Sequence, residues 1–137
     1  METRLNIYSD GGARGNPGPA AAAYLILGEN GKVLKAESQY LGKRTNNQAE
    51  YEALISALES ALHLGADEVV FHLDSELVCK QITGEYRVKN PALKTLWQKA
   101  SNLKRQFRRI SFVNVPRTDK CMEKADEMVN KTIDKKT

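Results

Sequence analysis

Cysteine, histidine and proline are scarce in this 137-residue chain, with two, two and four copies respectively. Cys79 and Cys121 are too few for a disulfide scaffold or a cysteine-built zinc site, and read as small reduced hydrophobes. His63 falls in a predicted helix and His72 in a predicted strand, where both read as packing or surface residues. No apolar run approaches the ~20 residues of a membrane span. The first residues lack the basic-then-apolar pattern of a signal peptide. There are no internal repeats, low-complexity tracts or linkers. What remains is one domain over residues 1–137, expected to be soluble, cytoplasmic and monomeric, without a membrane or an obligate protein partner. At 41% hydrophobic the chain can build a core, since a domain of this length buries roughly two thirds of its unfolded surface.

Charge is present but unevenly divided. The net value is +4. Between Gly84 and Ile110 stand Arg87, Lys89, Lys94, Lys99, Lys104, Arg105, Arg108 and Arg109 against Glu85 alone, a local +7 that leaves −3 for the rest. A basic segment on a mildly acidic body suits a polyanion partner whose affinity falls with salt. It equally suits a solvated lysine-rich helix face.

Periodicity gives the element order β-β-β-α-β-α-α-β-α. Thr3–Asp10 alternates as a strand, and Gly11–Pro19 reads as a turn-rich break. Ala20–Gly28 and Lys32–Leu41 read as strands joined by the hairpin signal Asn30-Gly31. Apolar residues from Ala49 to Leu62 recur at helical spacing, with Asn46 or Asn47 as the cap and Gly65 as the end. Glu68–Leu73 is a buried strand, and Asp74-Ser75 caps a short helix ending near Gly84. Pro91 opens a helix with the stripe Leu93, Leu96, Trp97, Ala100, Leu103 and Phe107. Ile110–Val115 is a fifth strand, and a last helix runs from about Lys120 to Ile133. Such an order predicts an α/β fold with a mixed sheet flanked by helices.

Four carboxylates stand in unusual places. Asp10 closes the first strand before a double glycine, and Asp74 closes the fourth before a helix. Open α/β sheets bind ligands at the carboxyl ends of strands, so neighbouring first and fourth strands would set these two acids side by side. Glu50 lies among Ala49, Ala53 and Leu54 and faces inward, and Asp126 sits beside Ala125, one turn before Val129. Four oxygen donors without paired histidines suit Mg²⁺ or Mn²⁺ better than zinc. Each also has an ordinary reading: Asp74 as a cap, Glu50 at a helix dipole, Asp10 in a turn, Asp126 on an exposed helix face.

Four ordered segments resemble the motifs of type 1 ribonuclease H. They are Asp10-Gly-Gly-Ala-Arg-Gly-Asn-Pro-Gly-Pro, Thr45-Asn-Asn-Gln-Ala-Glu-Tyr-Glu-Ala-Leu, Leu73-Asp-Ser-Glu-Leu-Val, and Val115-Pro-Arg through Lys124-Ala-Asp126. The resemblance covers essentially the whole chain. It implies a ribonuclease H-like fold with a five-stranded sheet in the order 3-2-1-4-5. It implies an endoribonuclease that hydrolyses the RNA strand of RNA–DNA hybrids with two Mg²⁺ ions, Mn²⁺ being a possible substitute. The expected products carry 5′-phosphate and 3′-hydroxyl ends. Asp10, Glu50, Asp74 and Asp126 would be the catalytic metal ligands. Gly11, Gly12, Asn16, Asn46 and Asn47 would meet the hybrid near the cut, and Thr45 and Asn90, with charge from Lys43 or Arg44, would hold a DNA-strand phosphate.

The sequence also departs from that family's pattern. The loop Arg117–Met122 has no histidine, and Arg117 or Lys120 is the remaining source of positive charge there. Met122 stands where relatives often carry asparagine, and Glu76 where glutamine is commoner. Residues 82–90 lack the basic protrusion of larger relatives, and no hybrid-binding domain is recognisable. Two other readings stay open: a hybrid-binding module that does not cut, and a nuclease that also accepts double-stranded RNA.

Overall fold

The computed structural model describes residues 3–137. The elements follow in the order β1 (Arg4–Ala13), β2 (Gly18–Leu27), β3 (Val33–Arg44), α1 (Asn46–His63), β4 (Glu68–Leu73), α2 (Glu76–Ile82), α3 (Pro91–Lys104), β5 (Arg109–Asn114) and α4 (Lys120–Lys136). They form one five-stranded sheet ordered β3-β2-β1-β4-β5. β1 is antiparallel to β2 and parallel to β4, and β4 is parallel to β5.

Helices cover both faces because the strands are apolar on both. Leu5, Ile7, Phe71 and Leu73 meet Tyr51, Leu54 and Leu58 of α1 in the larger core. Burying each such side chain contributes roughly 1.5–3 kcal/mol. On the other face Ala21 and Ala23 receive Val129 and Ile133 of α4. The run Ala20-Ala-Ala-Ala23 is buried throughout, and its small side chains let the sheet carry a helix on each side without a thick intervening layer.

Local signals set the helix ends, with some corrections to the sequence-based expectations. The cap of α1 is Thr45 rather than Asn46 or Asn47. Its hydroxyl accepts the Gln48 N–H at 3.1 Å while the Gln48 side chain accepts the Thr45 N–H at 2.9 Å, a reciprocal capping box. At the other end Gly65 adopts φ +78°. The Gly65 and Ala66 N–H groups bond to Leu62 and Ala61, which satisfies two otherwise orphaned carbonyls. His63 is therefore the last residue of α1. Ser75, not Asp74, caps α2. Phe107 lies beyond the end of α3 yet is buried in the core.

The largest correction is the length of β1. The strand does not close at Asp10. Gly11, Gly12 and Ala13 continue it, paired with Ala22, Ala21 and Ala20 of β2. The glycines read locally as a turn, but β2 supplies an antiparallel partner for them. No helix among the described residues is long and apolar enough to cross a membrane.

Candidate active site

Strand register brings the first two carboxylates together. β1 and β4 pair in parallel from Arg4 opposite Glu68 to Tyr8 opposite His72. The same offset of 64 residues, continued two positions, sets Asp10 against Asp74. Beyond Tyr8 the strand keeps pairing with β2 but no longer with β4. A gap thus opens at the carboxyl end of β4, the place where α/β sheets take their ligands.

Glu50 enters this gap from α1. It is the fifth helical residue, one position beyond the first turn, so proximity to the helix end does not explain it. Its carboxylate accepts the Gly11 backbone N–H at 2.5 Å. A Cβ on Gly11 would run into the Ala49 carbonyl and the Glu50 N–H. The bare glycine therefore lets α1 press directly onto β1. Carboxylate oxygens of Asp10, Glu50 and Asp74 all lie within 4.8 Å of one another.

Asp126 approaches from α4. The buried Ala125 and Val129 seat the helix, and the half-buried Asp126 lines the same cleft of about 440 Å³. Its Oδ2 accepts the Asn130 side-chain amide at 3.4 Å. Gly11, Gly12, Arg14, Asn46, Asn47 and Arg117 complete most of the lining.

The electrostatics are those of crowded, desolvated acids. Burial pushes Asp10 up to about 7, and the charges of Asp74 and Asp126 add to the rise while a hydrogen bond with Glu50 opposes it. Burial also drives Glu50 well above the ordinary glutamate range, and the neighbouring Asp10 reinforces it against the Gly11 N–H. Two carboxyls this close cannot both ionise cheaply. Without a cation, burial and mutual repulsion both favour the protonated form of the pair. The cationic contact from the last loop is Arg117, whose Nε lies 3.5 Å from Asp74 Oδ2 while the side chain is 79% exposed.

Comparison with known proteins decides the family. The family described as "Reverse transcriptase-like" matches residues 8–132. Ribonuclease HI of Halobacterium salinarum is 40% identical over 131 residues, 96% of this chain and 65% of the relative. The N-terminal RNase H domain of Rv2228c from Mycobacterium tuberculosis superposes with a TM-score of 0.93 at 40% identity, covering 98% of this chain and 96% of that one. LC11-RNase H1, solved in complex with an RNA/DNA hybrid, superposes with a TM-score of 0.89 at 45% identity over 96% of this chain and 98% of that one. The chain belongs to the type 1 ribonuclease H family. It spans about two thirds of the Halobacterium ribonuclease HI and 36% of the full mycobacterial bifunctional protein Rv2228c.

In this ribonuclease H domain residues 83–90 connect α2 and α3 without a further helix. The residues expected to meet substrate divide into two groups. Asn46 and Asn47 line the cleft with Gly11 and Gly12. Asn46 Oδ1 accepts the Ala13 N–H at 2.9 Å, and the Asn46 N–H donates to Asn16 Oδ1 at 3.0 Å. These bonds latch the β1–β2 loop to the start of α1. Asn16 itself, like Lys43, Thr45 and Asn90, lies outside the cleft lining. Thr45 caps α1, and Asn90 caps α3 by accepting the Ala92 and Leu93 N–H groups. Lys43 stands exposed near the end of β3.

The other singled-out residues have plain structural work. His72 stacks on Tyr8 at 4.2 Å, and its Nδ1 lies 3.0 Å from the Ile7 carbonyl. Cys79 and Cys121 are free thiols. Trp97 is half-buried and donates its indole N–H to the Gln81 carbonyl at 3.0 Å. Two cleft residues escaped the sequence reading, Arg14 and Asn130. Asn130 and Asp134 stand four and eight residues after Asp126, a helical spacing that marks a single face.

Proposed function

We propose that this domain is an endoribonuclease that hydrolyses the RNA strand of RNA–DNA hybrids, with Asp10, Glu50, Asp74 and Asp126 as its metal-binding acids. The observation that carries the reading is the meeting of Asp10, Glu50 and Asp74 within 4.8 Å, in a chain whose relative LC11-RNase H1 was solved with an RNA/DNA hybrid.

The donor set fits hard divalent cations. It consists of carboxylate oxygens, and burial holds the two most buried of them above their ordinary pKa, with neighbouring acids adding to the rise. Oxygen-only donors select Mg²⁺ or Mn²⁺ over softer metals. A bound pair of such ions would supply Lewis acidity to the scissile phosphate and a water acidified enough to attack near neutral pH. Glu50, Asp74 and Asp126 all bear on the Asp10 carboxyl, which would make Asp10 the central acid of the set that holds the ions. No side chain serves as a covalent nucleophile, and the products carry 5′-phosphate and 3′-hydroxyl ends.

The chain's own residues do the rest. Gly11 and Gly12 line the cleft; the Gly11 N–H is engaged by Glu50, and backbone groups left free along this stretch can read 2′-hydroxyls. Asn16 and Asn46 hold that loop in place beside the cut, and Asn47 lines the cleft next to them. Arg117 places positive charge at the rim near Asp74. Arg87, Lys89 and Lys94 line an exposed groove with Tyr86 and Trp97, and form the duplex-facing part of the basic segment. Other members of that segment have local work, with Lys104 bonded to the Ile82 carbonyl and Arg108 to Glu68. Lys43, Thr45 and Asn90 complete the reading as holders of a DNA-strand phosphate, and the domain acts as a monomer in the cytoplasm.

The deciding experiment is a cleavage panel on labelled hybrid, double-stranded RNA and single-stranded RNA, with Mg²⁺, with Mn²⁺ and with chelator. Metal-dependent cutting of the RNA strand in the hybrid, abolished by Asp10→Asn, is the expected result. Hybrid binding without cleavage under either metal would replace the reading with a non-cutting module. Equal cleavage of double-stranded RNA would widen the substrate class, because A-like shape and 2′-hydroxyls are common to both duplexes.

A further inference from the structure

The β1–β2 loop is fastened on a second side. Arg14, at its start, reaches across to α4. Its Nη1 lies 2.5 Å from Asp134 Oδ1, and its Nη2 donates to the Asn130 carbonyl at 3.2 Å and to Asn130 Oδ1 at 3.4 Å. The Asn130 amide nitrogen then donates to the Asp126 carbonyl at 3.1 Å and to Asp126 Oδ2 at 3.4 Å. These contacts join residues 116 and 120 positions apart in sequence.

A guanidinium has only donors, and a side-chain amide has one end of each kind. While Arg14 faces Asn130, the amide must turn its oxygen toward Arg14. Its nitrogen is then committed to the Asp126 carboxylate. If Arg14 is removed, the Asn130 oxygen loses its donor and the side chain loses one of the two contacts that fix it, leaving the amide held by Asp126 alone and freer to swing away from the carboxylate. The Asp134 ion pair holds the guanidinium for this task. The pair is exposed, with side chains 42% and 63% accessible, so its direct stabilisation of the fold is at most about 1 kcal/mol.

We propose that Arg14 is a positioning residue that, through Asn130, orients the Asp126 carboxylate toward Asp10, Glu50 and Asp74. This rests on the metal-binding reading of the four acids. The clamp also couples the glycine-rich loop to the helix carrying the fourth acid, so the substrate-reading backbone and that ligand are set by one contact.

The test is a double-mutant cycle on the 137-residue protein with Arg14→Ala, Asn130→Ala and the pair, plus Arg14→Lys. Groups that orient metal ligands typically change metal affinity or activity by about 10–100-fold. Arg14→Ala should therefore lower kcat on hybrid about tenfold with KM little changed, and weaken Mn²⁺ binding measured calorimetrically without hybrid. The double variant should be no worse than Asn130→Ala alone, because Arg14 acts through Asn130. Arg14→Lys keeps the Asp134 charge pair but not the two-pronged contact, and should rescue only part. In metal-free protein, the Asn130 side-chain amide resonances should shift in Arg14→Ala. Multiplicative losses, or a KM rise at constant kcat, would overturn the proposal by making Arg14 a direct substrate contact. Unchanged Mn²⁺ affinity and unchanged amide resonances would overturn it too. If the wild type cuts no hybrid, the functional reading fails, while the calorimetric and resonance measurements still judge the clamp.

Discussion

Glu50 is held by Gly11: the carboxylate of one accepts the backbone N–H of the other across 39 residues of sequence. The contact requires a glycine, since any Cβ at that position overlaps the α1 backbone. Gly11→Ala is expected to force α1 away from β1. The cost should be at least about 2 kcal/mol, at the upper part of the range for overpacking. Urea unfolding measures it. An unchanged midpoint would show that α1 sits less tightly on β1 than described.

The raised acids make stability depend on pH in a defined direction. The folded protein holds the Asp10 proton up to about 7, against an ordinary value of 3.8. Its contribution is fully present below pH 4 and is lost as pH rises toward 7. At about 1.4 kcal/mol per pKa unit the loss is bounded at about 4 kcal/mol. Glu50 shifts in the same direction. Chelator-treated protein should therefore unfold more easily at pH 7.5 than at pH 5, and Asp10→Asn should flatten the trend. Stability that climbs with pH in chelator would contradict the burial of these acids.

Binding to hybrid should weaken with salt. Each phosphate neutralised by a Lys or Arg contributes about 0.9 to the slope of log affinity against log salt on duplex DNA. Arg87→Ala and Lys94→Ala should each raise KM and reduce the slope by about 1. Arg105→Ala, whose guanidinium is engaged with Asn102, should change it less. Equal effects at all three positions would point to a diffuse field rather than a groove.

Tyr51 tests the core beneath the site. Its hydroxyl donates to the Gln81 side-chain oxygen at 2.6 Å in a buried pair, and burial pushes its pKa upward. Tyr51→Phe leaves the Gln81 oxygen without its donor, at a cost of about 1–3 kcal/mol. Thermal unfolding reads this directly. A stabilised variant would mean that water replaces the lost donor.

Much of this was legible in local pattern. The element order, the sheet order expected from the family resemblance and the meeting of Asp10 with Asp74 agree with the fold. Local pattern failed where distant partners decide the outcome. Gly11-Gly12 look like a turn until β2 pairs with them. Asn46 looks like a cap until Thr45 and Gln48 close on each other, which frees the Asn46 side chain for Ala13. Arg14 looks like a loop residue because its partners Asn130 and Asp134 lie at the far end of the chain. Phe107 fits a helical stripe, yet the helix has already ended when it turns into the core.

The parallel pairing of β1 with β4 has a consequence for how such a site can vary. Sheet register changes only in whole-residue steps, and a slip of one residue would turn Asp10 to the opposite face. Register therefore fixes in whole-residue steps which residues reach the gap, Asp10 from within β1 and Asp74 from one residue past the end of β4. Gradual tuning must come from the two helices, whose carboxylates arrive through side-chain contacts that a single substitution can adjust. One half of the site is digital and the other analogue, and the boundary runs along the edge where β1 outlasts its neighbour.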